Sequence, residues 1–281
     1  MSSPLCAVTV LASTLLTAPP SEVTAEAVRY RDISFPAAAV VRDVPYRQAV
    51  DVSGARQTLT LDLYEPEGDL ESRRPAIIWI HGGGFRPGND KRQKYIVTMA
   101  TEYARRGYVS VAPDYRVRAE VGADRMPALR EALEDCRAAL EWVRANAAAH
   151  RIDAARIAIG GGSAGGMIAV NLAAVEGRPS GGGRGVFALV DLWGSPSASL
   201  MAADVGPGYP PTIIVHGTAD ELVPFSQSEQ FAAALTANSV EHELRAIPGA
   251  PHTPTGSMPD IIEWTAAFVY RALARASAPL R

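Results

Sequence analysis

The chain of 281 residues predicts an α/β fold: one mostly parallel sheet of about eight strands, with helices on both faces. Three observations predict it. Short, nearly continuous apolar runs recur from residue 75 onward, and such runs suit parallel strands covered on both faces. Helical patterns separate them, giving the βαβα alternation of a doubly wound sheet. Ahead of them, two segments alternate apolar with polar residues, as half-buried antiparallel strands do.

The alternating segments are residues 40–50 and 58–64 (TLTLDLY), placed at the N-terminal edge of the sheet. The apolar runs are PAIIWI, YVSVAP, RIAIG, VFALVDLW and PTIIVHG, and EHELRAI reads as a last strand. Helices are expected over 95–106, 127–150, 163–175, 225–238 and 259–274. Loops gather at 176–185 (EGRPSGGGRG), a flexible surface connection in character, and at 194–211. The second loop, GSPSASLMAADVGPGYPP, is too short to build a helical cap domain, so no large cap is expected. No internal repeat is visible, and residues 28–281 read as one domain.

Composition narrows the function classes. Hydrophobic residues make up 47% of the chain, enough for a full core. Its formal charge is −3, and no basic block stands out, which argues against a nucleic-acid partner. Cys6 and Cys136 are the only cysteines, so neither a zinc-ligand spacing nor a disulfide framework exists. Cys136 sits in the helical stretch LREALEDCRAALEWV and is expected to be a small buried residue. The apolar run LCAVTVLASTLL, followed by Ala25-Glu26-Ala27, resembles a secretory signal. Residues 1–27 are therefore expected to be a signal segment and the protein to be secreted. No Lys or Arg precedes the run, which keeps a cytoplasmic location as the alternative. The run is too short to span a bilayer.

The stretch RIAIGGGSAGGMIAV supports two readings. Gly160, Gly162 and Gly165 match the G-x-G-x-x-G turn that cradles a pyrophosphate. Gly161, Ser163 and Gly165 match G-x-S-x-G, the turn that presents a nucleophilic serine. A dinucleotide site wants its turn after the first strand and an acidic residue about twenty positions on. Here the turn follows five strands, and the next strand ends near Asp191, so the serine reading stands. A serine hydroxyl needs a base within hydrogen-bond reach and donors for the oxyanion that forms. WIHGGGF supplies a glycine turn after the third strand whose amides, with that of Ala164, are candidate donors: Gly83, Gly84 and Ala164. HGTADELVP places Asp220 57 residues after Ser163, and AIPGAPHTP places His252 32 residues further on. Ser, Asp and His at successive strand ends is a hydrolase order.

On these four motifs, HGGGF, GGSAGG, HGTADELVP and PGAPHTP, the chain resembles the α/β-hydrolase superfamily in its esterase/lipase branch. Within it, the similarity is to compact carboxylesterases grouped with bacterial feruloyl and acetylxylan esterases, over about residues 40–275. Where hormone-sensitive-lipase-like esterases place an Asp before the serine, this chain has Gly162. The resemblance implies a serine carboxylesterase with Ser163 as nucleophile, His252 as base and Asp220 as its orienting acid. The expected substrate is a small-molecule or sugar ester with a short acyl group; no metal or organic cofactor is implied. A peptidase or amidase on the same fold, and a non-catalytic binder, are the alternatives.

Several residues compete for these roles. Asp191 is the rival acid. His81 is expected to orient its own loop, His150 to meet the carbonyls ending a long helix, His216 to be a packed hydrogen-bonded residue and His242 to alternate along a strand. Asp114, Tyr115 and Arg116 are expected to form a network beneath the serine. Trp193 is read equally as a pocket wall and as core.

Overall fold

The computed structural model describes residues 27–122, 124–177, 185–194 and 205–277. The signal-like residues 1–26 and most of the loops at 176–185 and 194–211 therefore lie outside the described residues.

Eight strands form one sheet: β1 (Ala38–Val50), β2 (Arg56–Pro66), β3 (Arg74–Ile80), β4 (Val109–Pro113), β5 (Ile152–Gly162), β6 (Leu189–Leu192), β7 (Thr212–Gly217) and β8 (His242–Ile247). Their order is β1-β2-β4-β3-β5-β6-β7-β8. β1 and β2 run antiparallel to each other, β2 runs antiparallel to β4, and every pairing from β4 to β8 is parallel. The helices are α1 (Lys94–Arg105), α2 (Met126–Ala145), α3 (Ala164–Glu176), α4 (Phe225–Ala237) and α5 (Met258–Ala276).

Why the central strands read as unbroken apolar runs is visible in β3. Its side chains point alternately to the two faces, and both faces are covered. Ala76, Ile78 and Ile80 join Cys136 and Leu140 of α2, Ile168 and Leu172 of α3, and Phe231 of α4. Ile77 and Trp79 join Met99 and Tyr103 of α1 and Phe268 and Val269 of α5. Cys136 is a free, buried thiol whose pKa burial pushes up.

The expected helix over 127–150 stops at Ala145. Ala147 to Arg151 instead form a turn, closed by a hydrogen bond from the Ile152 amide to the Ala147 carbonyl, with Arg151 at φ 51°. The alanines favour helix, but the chain must reverse here to enter β5. His150 therefore does not meet the helix-end carbonyls; its Nδ1 lies 3.2 Å from Glu65 Oε1.

Candidate active site

The carboxyl ends of β3, β5, β7 and β8 converge on one cleft, as an open parallel sheet directs. Ser163 sits between β5 and α3 at φ 56° and ψ −123°. That conformation is strained for a residue with a Cβ and holds only because its neighbours fit closely. A Cβ at Gly161 would lie 2.5 Å from the Gly165 backbone, and one at Gly165 would meet the His81 carbonyl at 2.5 Å. The Ser163 amide donates to the Leu192 carbonyl at 2.9 Å, and α3 begins with the Met167 amide on the Ser163 carbonyl.

Asp220 lies in the turn after β7, and His252 in the loop after β8. The two loops are tied together by the Ala219 amide on the Ala250 carbonyl and by the Gly249 amide on Thr218 Oγ1. His252 Nδ1 stands 2.7 Å from Asp220 Oδ2. Its Nε2 stands 2.8 Å from Ser163 Oγ. The carboxylate accepts, so Nδ1 carries the proton and Nε2 accepts from the serine hydroxyl. The structure thus brings Ser163, His252 and Asp220 into one hydrogen-bond chain. It leaves Asp191 out of that chain.

Four donors surround Asp220. Oδ1 accepts from the Leu222 and Val223 amides, each at 2.9 Å. Oδ2 accepts from His252 and from His216 Nε2, the latter at 2.9 Å. Burial raises the Asp220 pKa, but the Val223 amide, His252 and the Leu222 amide outweigh it and hold the carboxyl below its ordinary value. His216 is fully buried. Its Nε2 also faces the Val223 carbonyl at 3.0 Å. Both partners on that side are acceptors, so Nε2 carries the proton and Nδ1 accepts from Ser228 Oγ at 2.6 Å. Sequence reasoning expected a packed histidine here. It missed that His216 shares the Asp220 oxygen with His252. The i, i+4 spacing of His216 and Asp220 was the available signal.

The glycine turn after β3 faces the serine. Gly83 (φ 109°) and Gly84 (φ 62°) take left-handed backbone that glycine allows. A Cβ at Gly83 would strike Asn89. Among the described residues, the amides of Gly83, Gly84 and Ala164 make no hydrogen bond. The Gly82 amide, by contrast, is occupied by Gln93 Oε1 at 3.0 Å and Tyr95 Oη at 2.9 Å. Tyr95 also donates to the Gly162 carbonyl at 3.3 Å, so one hydroxyl ties the glycine turn to the serine turn. Gln93 and Tyr95 were missed because they open an amphipathic helix and read as surface and core.

Asp114, Tyr115 and Arg116 form a structural network, in which Tyr115 braces the glycine turn. Tyr115 stacks on His81 at 4.2 Å and donates to the His81 carbonyl. Asp114 accepts from the Lys91 amide and ammonium. Arg116 is bound to Asp135. Trp193 is both things expected of it: it is buried against Tyr95 and lines the cleft. Among the described residues no cluster of metal-ligating side chains occurs, and no helix is long and apolar enough to cross a membrane.

Comparison with known proteins accords with this geometry. The family model Phospholipase/Carboxylesterase matches residues 130–269, and the model BD-FAE matches residues 61–180. The chain belongs to the esterase-type α/β-hydrolases. Esterase 2 of Thermogutta terrifontis, solved with propionate bound, superposes on this hydrolase with a TM-score of 0.65 at 26% identity, covering 90% of this chain and 100% of that one. Mouse carboxylesterase 3B is 37% identical over 119 residues, 41% of this chain and 20% of its own length. A non-reducing polyketide synthase of Penicillium brevicompactum is 52% identical over 42 residues, 15% of this chain. The hydrolase spans 2% of that synthase's length.

Proposed function

We propose that the protein hydrolyses carboxylic esters through an acyl-enzyme on Ser163. The observation that carries this is the continuous hydrogen-bond chain from Ser163 through His252 to Asp220, beside amides left unpaired. As Ser163 Oγ bonds to the acyl carbon, His252 Nε2 takes its proton. Asp220 holds the imidazole in the reactive tautomer and stabilises the cation that forms. The oxyanion is received by the Gly83, Gly84 and Ala164 amides, the last at the positive end of α3. Collapse breaks the ester C–O bond and the alcohol leaves with the proton from His252. Water, deprotonated by His252, then attacks the acyl-enzyme and releases the acid and the serine.

Short acyl groups, acetyl to butyryl, are the preferred substrates in this reading. The propionate and butyrate bound to the Thermogutta esterase support it, as does a cleft of about 400 Å³ that the triad, the glycine turn and several polar side chains already share. Ser163→Ala should lower kcat by roughly 10³- to 10⁶-fold and abolish labelling by a fluorophosphonate. Retention of more than a tenth of the esterase activity would remove Ser163 from the mechanism. Across p-nitrophenyl esters, kcat/KM should peak at short chains; a maximum at long chains, or activation at an oil–water interface, would refute the short-acyl reading. Faster cleavage of aminoacyl anilides than of esters would make it a peptidase. Secretion, supported by the apolar run before Ala27, is tested by finding the processed chain outside the cell.

A further inference from the structure

Two cations line the cleft without an ion pair among the described residues. Its lining includes Arg86, just past the glycine turn, and Arg125, just before α2, together with Ser163 and His252. Among the described residues no Asp or Glu lines it. The contrast with the rest of the molecule is sharp. Most arginines are bound: Arg92 to Asp62 and Asp43, Arg116 to Asp135, Arg144 to Glu176. Among the described residues, only Arg56, Arg86, Arg125 and Arg130 have guanidiniums with neither ion pair nor hydrogen bond. Two of these four line the cleft that holds Ser163. The nearest acids in sequence are held by backbone amides. Asp90 Oδ1 accepts from the Arg92 amide at 2.8 Å, and Asp124 Oδ1 from the Met126 amide at 2.9 Å. In a chain of net charge −3, the described lining of this cleft thus carries two arginines and no carboxylate.

A guanidinium presents a planar fork of donors that fits a carboxylate. Two of them at one cleft also attract an anion before contact, in proportion to low ionic strength. We propose that Arg86 and Arg125 form a carboxylate-binding subsite, and that the preferred substrate is an ester bearing a free carboxylate near its scissile bond. This rests on the esterase reading above and adds the charge class of the substrate to it. The carboxylate has two possible sources: the acyl side, as in a half-ester of a short dicarboxylic acid, or the alcohol side, as in an ester of a hydroxy acid.

Matched pairs of esters test it and separate the sources. Methyl hydrogen glutarate against methyl valerate places the charge on the acyl side. 4-Acetoxybenzoate against 4-acetoxybenzamide places it on the alcohol side. The wild-type protein should favour the anion in one pair by about tenfold in kcat/KM, the scale of one or two partly exposed charge-assisted contacts. The preference should shrink as salt rises. Arg86→Gln and Arg125→Gln should each reduce that ratio, and the double variant should bring it below about twofold on the same scale. Arg56→Gln and Arg130→Gln, equally unpaired but off the cleft, should leave it unchanged. A ratio near or below one in both pairs, or one that survives the double variant, overturns the subsite. In that case hydrolysis of the neutral esters, lost in Ser163→Ala, shows that the esterase reading stands. Hydrolysis of none of the four esters overturns both.

Discussion

Asp191 and Asp220 stand on neighbouring strands, one within β6 and the other just past β7, and they could hardly be treated more differently. Asp220 receives four hydrogen bonds, two from backbone amides and two from histidines, and its carboxyl is held low. Asp191 is fully buried, and neither of its oxygens has a hydrogen-bond partner. Burial pushes its pKa up to about 7, offset only in part by the nearby Gly194 amide. Glycines surround it: a Cβ at Gly166 would lie 2.5 Å from Oδ1, and one at Gly194 closer still. The same functional group is held low where donors converge and is pushed up where burial leaves it without them. What makes a catalytic carboxylate is its donors, not its place at a strand end.

The largest expected effect breaks the comparison directly. Asp220→Asn leaves the shape but presents an amide to His252 and favours the wrong tautomer, a change that costs around 10⁴ in kcat in a well-studied protease. Asp191→Asn should change kcat by less than a few-fold, because no bond joins Asp191 to His252. Steady-state kinetics on a short-acyl ester decides it. A large loss confined to the Asp191 variant would reverse the assignment.

Stability should move the other way. Folding raises the Asp191 pKa from the ordinary 3.8 to about 7, so the native state holds this proton more tightly than the unfolded chain. The resulting stability is complete below about pH 4 and is lost as pH rises through 7. The shift of about three units corresponds to roughly 4 kcal/mol. Asp191→Asn removes the titration. Its stability relative to wild type, from denaturant unfolding, should therefore improve by a few kcal/mol between pH 4 and pH 9. A difference that stays flat with pH would mean that Asp191 is ionised in the native state.

Much of this was legible in the chain itself. Unbroken apolar runs mark strands covered on both faces, and the parallel order followed from them. The positions of Ser163, His252, Gly83 and Gly84 could be read because each lies in a glycine- or proline-rich turn just past such a run, where local spacing is informative. Asp191 lies inside such a run and Asp220 just past one, and both fall between Ser163 and His252, so chain order left Asp191 as a rival. Their difference resides in partners drawn from distant elements: Ser228 on α4 for His216, and Gly166 on α3 for Asp191. Tyr95 was hidden for the same reason, since a hydroxyl that bridges two turns looks like any helix aromatic until the turns are in place. The end of α2 was missed because Ala147, Ala148 and Ala149 favour helix, while the reversal into β5 depends on tertiary packing.

His216 tests whether the donors around Asp220 matter individually. His216→Leu removes a hydrogen bond to a charged acceptor, worth about 1.5–3 kcal/mol, which is roughly a 10- to 100-fold loss if it is all expressed in kcat. A carboxylate with fewer donors is also easier to protonate, so the acid limb of the pH–rate profile should move to higher pH. His216→Gln, which can still donate to Asp220, should recover part of both. A Leu variant with full kcat and an unmoved acid limb would reduce His216 to packing.

The smallest effect lies one bond further out. Ser228, fully buried on α4, donates to His216 Nδ1 at 2.6 Å and so keeps the proton on the nitrogen that faces Asp220. Ser228→Ala leaves Nδ1 without a donor, a neutral hydrogen bond worth about 1 kcal/mol, or about fivefold. The imidazole still has two acceptors at Nε2, so its tautomer persists but its orientation loosens. In the proposed mechanism Asp220 is most needed when His252 becomes cationic in the transition state, so the loss should fall on kcat more than on KM. Ser228→Thr keeps the hydroxyl and should restore kcat. If Ser228→Ala lowers the melting temperature while kcat and the acid limb match wild type, the hydroxyl supports the fold of α4 and not the carboxylate two residues away in the chain of bonds.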